Sequence, residues 1–179
     1  MGNAGLDKII VVDLETTCED QIVEEPPREV IEVGICLLDP RSGNITERQS
    51  ILVKPAFSQV SDFCTKLTTM TREQVESGIP FAEACALLKQ RYKTKRRVWA
   101  SYGDFDRNQF ERECRSKGAP YPFGPRHINV KTLFAIRHRL SQEMGMDKAL
   151  RRLGLEPIGT PHRGVDDAHN VARILYTLI

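Results

Sequence analysis

The chain has 179 residues, a formal net charge of +2, 40% hydrophobic residues and 28% charged ones. That length suits one domain with room for a real core, and the composition is ordinary for a globular protein. Near-neutrality excludes a nonspecific polycationic coat, so any binding of a polyanion must come from local geometry.

Lys8 to Asp13 (KIIVVD) is a short apolar run rich in β-branched residues and predicts a buried strand. Val30 to Leu38 (VIEVGICLL) predicts a second strand. Gly43-Asn44 is a turn signal, and Glu47 to Val53 a third strand, so the two make a hairpin that ends at Pro55. Ser61 to Thr68 reads as a loop. Thr71 caps a short helix that has Glu73 and Gln74 in its first turn. Pro80 opens the next helix, where Phe81, Ala84, Cys85 and Leu88 form one apolar stripe. Val98 to Ser101 is a fourth strand, and Asp106 onward is helical until Gly118 and Pro120. A short strand at His127 to Val130 leads into a helix from about Thr132. Met146, Ala149, Leu150 and Leu153 mark a short helix ended by Gly154. The last helix runs from about Val165, with Val171, Ile174, Leu175 and Leu178 as its stripe. A hairpin followed by strands alternating with helices predicts the α/β class, with one mixed five-stranded sheet flanked by helices in a single domain over residues 1–179.

Cys18, Cys36, Cys64, Cys85 and Cys114 include no C-x-x-C pair. This argues against a zinc knuckle and for reduced thiols in a cytoplasmic protein. The N-terminus lacks a basic-then-apolar leader and no apolar run approaches membrane length, so no membrane partner is expected. Met1-Gly2-Asn3 opens like a myristoylation signal, but Leu6 stands where that signal needs Ser or Thr.

Three constellations carry chemistry. In Asp13-Leu14-Glu15 the alternation of strand side chains puts both carboxylates on one side at the strand's carboxyl end, where they can chelate a hard cation. On its own such a tripeptide is better explained by a polar strand end entering a turn. In His162-Arg163-Gly164-Val165-Asp166-Asp167, Gly164 permits a close approach to the final helix, whose dipole favours a carboxylate in its first turn. Alone, this reads better as a helix cap and a loop histidine. In Gly103-Asp104-Phe105-Asp106, one aspartate caps the following helix and the other is free to bind metal.

The order of the three, within the stretches VVDLETTCE, REVIEVGICLLD, SDFCTKLTTMTREQV, GDFDRNQF, INVK and PHRGVDDAHNVARI, resembles the DEDDh 3′→5′ exonucleases of ribonuclease-H-like fold, and most of all the Eri-type exoribonucleases. These stretches span residues 8 to 175, nearly the whole chain. The resemblance implies metal ligands at Asp13, Glu15, Asp106 and Asp167, and His162 as general base. It selects Asp106 over Asp104 because Phe105 precedes it, and Asp167 over Asp166 by the H-x4-D spacing. It further implies two divalent cations, Mg²⁺ or Mn²⁺, and as substrate the 3′ end of single-stranded RNA or DNA, with release of nucleoside 5′-monophosphates. The terminal nucleotide would lie beside Leu14, Thr16 and Thr17, its base stacked on Phe63 and Phe105. Core packing is the competing role for both rings. Lys131 is placed for a phosphate contact or for plain solvation; Glu29 and Glu32 are placed to support the ligands from behind, with strand surface as the preferred reading. The basic run Lys89 to Arg97 sits at the pole opposite the catalytic strand ends and reads as a solvated face. His127, His138 and His169 receive no catalytic role. Two other readings remain: a DNA-trimming exonuclease, and a catalytically inactive binding module on the same fold. Loss of a ligand would mark the latter, and all five positions are filled.

Overall fold

The computed structural model describes residues 5–20 and 27–179; Met1, Gly2 and Asn3 lie outside them. Strands β1 (Ile9–Thr16), β2 (Val30–Leu38) and β3 (Ile45–Lys54) form an antiparallel meander. Strand β4 (Ile79–Pro80) adds parallel to β3, while β5 (Val98–Ser101) runs parallel to β1 and β6 (His127–Asn129) parallel to β5. The order is β4-β3-β2-β1-β5-β6, so the sheet has six strands where five were expected. The extra strand is two residues long, too short for any periodicity. Its Pro80, which cannot donate to a ladder, is tolerated because the strand lies at the sheet edge.

The helices are α1 (Asp62–Thr68), α2 (Arg72–Glu76), α3 (Phe81–Tyr92), α4 (Phe105–Lys117), α5 (Val130–Arg137), α6 (Met146–Arg152) and α7 (Gly164–Tyr176). Helix α1 replaces the expected loop: the Ser61 hydroxyl accepts the Cys64 N–H, Asp62 sits in the first turn, and Thr69 closes the helix in the left-handed region. Thr71 caps α2 as expected, in a full capping box with Gln74. Among the described residues, no helix is long and apolar enough to cross a membrane.

Strand alternation sorts the core into two layers. Ile10, Val12 and Leu14 of β1, with Val33, Ile35 and Leu37 of β2, face α3 and α4, where they cluster with Phe81, Leu88 and Phe110 of those helices and with Trp99 of β5. Ile9 and Val11, with Cys36 and Leu38, face the other way onto Ala168, Val171, Ile174 and Leu175 of α7. These four α7 side chains have no exposed surface. Burial of Val171, Ile174 and Leu175 contributes about 1.5–3 kcal/mol each to docking the helix. Asp13 and Glu15 share the parity of Ile9 and Val11, so the sheet aims them toward the start of α7.

Candidate active site

Helix α7 reaches the sheet through two glycines. A Cβ on Gly34 would fall 1.8 Å from the Gly164 carbonyl carbon, and one on Gly164 would fall 2.9 Å from the Asp13 carbonyl oxygen. Gly34 lies opposite Asp13 in the β1–β2 register. The helix backbone therefore rests directly on the ladder beside the first acidic residue, as Gly164 led us to expect. Asp167, in the first turn of α7, is carried to Glu15.

Glu15, His162 and Asp167 each offer a ligand atom, and all three atoms lie within 4.8 Å of one another, a group that could hold a metal ion. Asp106 enters from the other side. β1 outruns β5, whose pairing ends at Val11–Ala100. The Leu14 N–H beyond that point is free to donate to Asp106 Oδ1 at 2.9 Å. Asp106 is 4% exposed, whereas Asp104 stands at the surface, accepting from Asn129 at 3.0 Å and pairing with Arg107 at 3.2 Å. The structure brings Asp106 inward and leaves Asp104 out. Likewise Asp167 faces the cage, while Asp166 accepts from Arg48 and the Thr160 N–H, both at 2.9 Å.

Electrostatics mark the cluster as one that wants positive charge. Burial pushes the Glu15 carboxyl up to about 8, and the nearby charges of Asp167, Glu32 and Asp106 add to the rise. Burial likewise raises Asp167 to about 6, partly offset by the His162 N–H it accepts at 2.9 Å. Asp13 is driven well above the usual carboxylate range by burial and then by Asp106, Asp167 and Glu15. Asp106 is raised by burial against the opposing Leu14 N–H. Carboxylates converging in this way stay ionised only beside a cation, and an oxygen-rich set suits a hard divalent ion.

His162 is exposed, with φ at 60°. A non-glycine residue in that region is strained by about 1–3 kcal/mol and persists only where its surroundings fix it. Here the bond from its own N–H to Asp167 fixes it. A cleft of about 410 Å³ opens beside the imidazole, lined in part by Met146, Lys148, Arg151, Pro161 and Asp167.

The other expected residues divide. Phe63 and Phe105 are 37% and 47% exposed, which removes core packing as their role. Leu14, Thr16 and Thr17 are buried. The Thr17 hydroxyl accepts the Glu29 N–H at 3.0 Å and lies 3.1 Å from the Ser58 hydroxyl, so it braces the strand ends. Lys131 lies half-open beside Gly103 and 3.5 Å from Glu143. His127 lies 2.9 Å from the Ser101 hydroxyl, and burial lowers it to about 4. In the basic run, Arg91 and Arg97 are paired with Glu47 and Asp7.

Glu29 and Glu32 are not strand surface. Glu29 is 3% exposed and accepts the N–H groups of Ala56, Phe57 and Ser58 while pairing with Lys117. Glu32 has no exposed surface and accepts from Ser50, Gly164 and Arg163. The available signal was the place of Glu32 in β2, with Glu29 just before it: that strand is covered on both faces, so a glutamate there must be buried and therefore partnered.

Comparison with known proteins agrees with this geometry. The model of the Exonuclease family (RNase_T) matches residues 10–175. The chain is 29% identical to the rat (Rattus norvegicus) 3′-5′ exoribonuclease 1 over 184 residues, covering 97% of this chain and 53% of that protein. It is 26% identical to human (Homo sapiens) ERI1 exoribonuclease 2, over 97% of this chain and 28% of that one. It thus spans about half the length, or less, of these curated relatives. Among solved structures, the nuclease domain of 3′hExo, a DEDDh family member bound to rAMP, superposes with a TM-score of 0.89 at 28% identity, covering 98% of this chain and 93% of that one. A 3′-exonuclease described for 3′-end specific recognition of the histone mRNA stem-loop gives 0.85 at 28% identity, covering 96% of this chain and 63% of that one. The family match runs across nearly all of the sheet and both ends of the acidic cluster: the chain belongs to the RNase_T exonuclease family and is similar to its DEDDh and ERI-type members.

Proposed function

We propose that this chain removes nucleotides one at a time from the 3′ end of single-stranded nucleic acid, RNA before DNA, releasing nucleoside 5′-monophosphates. The observation that carries the reading is the convergence of Glu15, Asp167 and His162 within 4.8 Å, beside the buried Asp106 and the partly exposed Asp13, both with raised proton affinity. The single domain over residues 1–179 is part of the same reading, as is a reducing, cytoplasmic setting, supported by five free thiols.

Asp13, Glu15, Asp106 and Asp167 would hold two divalent cations, Mg²⁺ or Mn²⁺. When bound, the pair supplies Lewis-acid stabilisation of the attacking and leaving oxygens of an in-line displacement. His162, exposed beside the cleft and fixed through its backbone, takes the proton from the attacking water. Phe63 and Phe105 present open rings on which any base can stack. Leu14, Thr16 and Thr17 form the buried floor beneath the terminal nucleotide, and Lys131, half-open beside Gly103, meets a backbone phosphate. The similarity to an exonuclease bound to rAMP supports a ribonucleotide product.

Matched RNA and DNA strands, labelled at the 5′ end and incubated with Mg²⁺ or Mn²⁺, test the reading. Shortening of RNA one nucleotide at a time, faster than DNA, with 5′-monophosphates as product, is expected. Faster DNA shortening would move the reading to the trimming exonuclease, and binding without any shortening to the inactive module.

A further inference from the structure

Arg163 lies between the general base and the first residue of α7. Its Nε pairs with Glu32 Oε2 at 3.4 Å, the same oxygen that accepts the Gly164 N–H at 2.9 Å. The other Glu32 oxygen accepts the Ser50 hydroxyl. Glu32 is fully buried and sits directly opposite Glu15 in the β1–β2 register. Side chains of such a pair share one face with Cβ atoms about 5 Å apart, so Glu32 holds Arg163 at the margin of the catalytic carboxylates.

The guanidinium is tied at one end only. Its four Nη hydrogens take no hydrogen bond among the described residues, and the side chain is 29% exposed. If Arg163 served only to neutralise Glu32, its forked Nη face would be the part turned onto that carboxylate, since the fork matches a carboxylate bidentately. Here the weaker single contact through Nε is used, and Glu32 already has two other donors. What is left open is a planar, pre-oriented fork whose geometry matches the non-bridging oxygens of a phosphodiester.

We infer that Arg163, aimed by the buried Glu32, binds a backbone phosphate of the substrate strand next to the bond that is cut. This rests on the nuclease reading above and adds to it a phosphate subsite with a positioning residue behind it. Glu32 acts through Arg163 and through the Gly164 N–H, not on the substrate.

The experiment is the salt dependence of kcat/KM on single-stranded RNA with Mn²⁺, for wild type and for Arg163→Ala, Arg163→Lys, Glu32→Gln and the Arg163→Ala/Glu32→Gln double variant. Loss of one phosphate contact lowers the slope of log(kcat/KM) against log[salt] by about 0.7 for a single strand, an effect that a purely structural arginine would not produce. Arg163→Ala should lower that slope and reduce kcat/KM about 10- to 100-fold at low salt, the worth of a hydrogen bond to a charged group. Arg163→Lys should restore the slope and only part of the rate. Glu32→Gln should cost several-fold in the wild-type background and little more once Arg163 is gone, since residues acting as a unit are not additive. A folded Arg163→Ala protein with the wild-type slope overturns the inference, as does a full Glu32→Gln effect persisting in the double variant. If wild type itself releases no nucleotide, the nuclease reading falls first and takes this inference with it.

Discussion

Replacing Gly34 by alanine tests the geometry that assembles the site. The new Cβ would lie 1.8 Å from the Gly164 carbonyl carbon, 2.0 Å from its oxygen and 2.2 Å from the Val165 nitrogen. All three are backbone atoms, so no rotamer change relieves the clash. Carbon atoms settle at about 3.5–4.0 Å, so the start of α7 must retreat from β2 by more than roughly 1.5 Å. Overpacking commonly costs about 1–3 kcal/mol, and a rigid helix–strand contact belongs at the upper end, near about 3 kcal/mol. The larger effect is on chemistry. Asp167 and His162 ride on this segment, whereas Asp13 and Glu15 stay with the sheet, and a misplacement of about 1 Å can cost about 10²-fold in rate. Gly118 is the control: φ is +63° and nothing lies within 4 Å of its added Cβ, at the end of α4 remote from Asp106. Gly118→Ala should lose about 1–2 kcal/mol from backbone conformation alone and keep its turnover. Denaturant unfolding paired with single-turnover nucleotide release on folded protein measures both quantities. A Gly34→Ala protein within about 1 kcal/mol and a few-fold of wild type would refute the claim that this close approach sets the site.

Asp106→Ala and Asp167→Ala should abolish release, whereas Asp104→Ala should leave it substantially intact. Asp166→Ala should remain active with a stability loss of about 1 kcal/mol, for the acceptor lost to Arg48 and Thr160. An inactive Asp104→Ala beside an active Asp106→Ala would reverse the assignment. His162→Ala should lower turnover about 10²–10⁴-fold, the usual worth of a positioned base, with metal affinity measured by titration little changed. A folded variant within a few-fold of wild type would remove the general-base role. Stability should depend on pH in two windows of opposite sign. Glu15 and Asp167 are raised in the folded state to about 8 and about 6. Their contribution is therefore full below the unfolded value near 4 and is lost as pH rises through 6 and 8, so chelated protein should weaken over that range and recover with added Mg²⁺. Glu29 is held at about 2: its burial alone would raise it, but Lys117 and the donors of Ser58 and Ala56 prevail. Its contribution is full above its unfolded value and lost as pH falls through 2, so Glu29→Gln should flatten the acid limb of an unfolding-midpoint profile. An unchanged acid limb would remove Glu29 from the account.

Much of this arrangement is legible in the sequence where local signals and the buried pattern agree. The bounds of β2 and β5 follow from their largely apolar runs, that of β2 broken only by Glu32 and Gly34, and α2 from the Thr71 capping box. The parity of Asp13 and Glu15 follows from strand alternation, and the helix approach from Gly164. What escaped depends on neighbours distant in the chain. Helix α1 carries its Ser61 cap in plain view, but Thr65 and Thr68 weaken its propensity, and Cys64 and Thr68 are buried only once it packs against the sheet. Strand β4 exists because Val53 and Lys54 offer Ile79 and Pro80 a ladder. The roles of Glu29 and Glu32 come from partners 15 or more residues away in sequence, among them Lys117, Ser50 and Gly164. No window around VIEVG contains them.

The central claim is that the carboxylates gathered around Glu15 work as a metal cage for 3′-end hydrolysis. It is tested most directly by stripping the purified protein of metal, incubating it with 5′-labelled RNA in excess chelator, and then adding back Mg²⁺ or Mn²⁺. The account predicts no release in chelator, followed after add-back by products shortened one nucleotide at a time from the 3′ end, and none with Asp106→Ala. Full release in excess chelator, or equal release by Asp106→Ala, would contradict it.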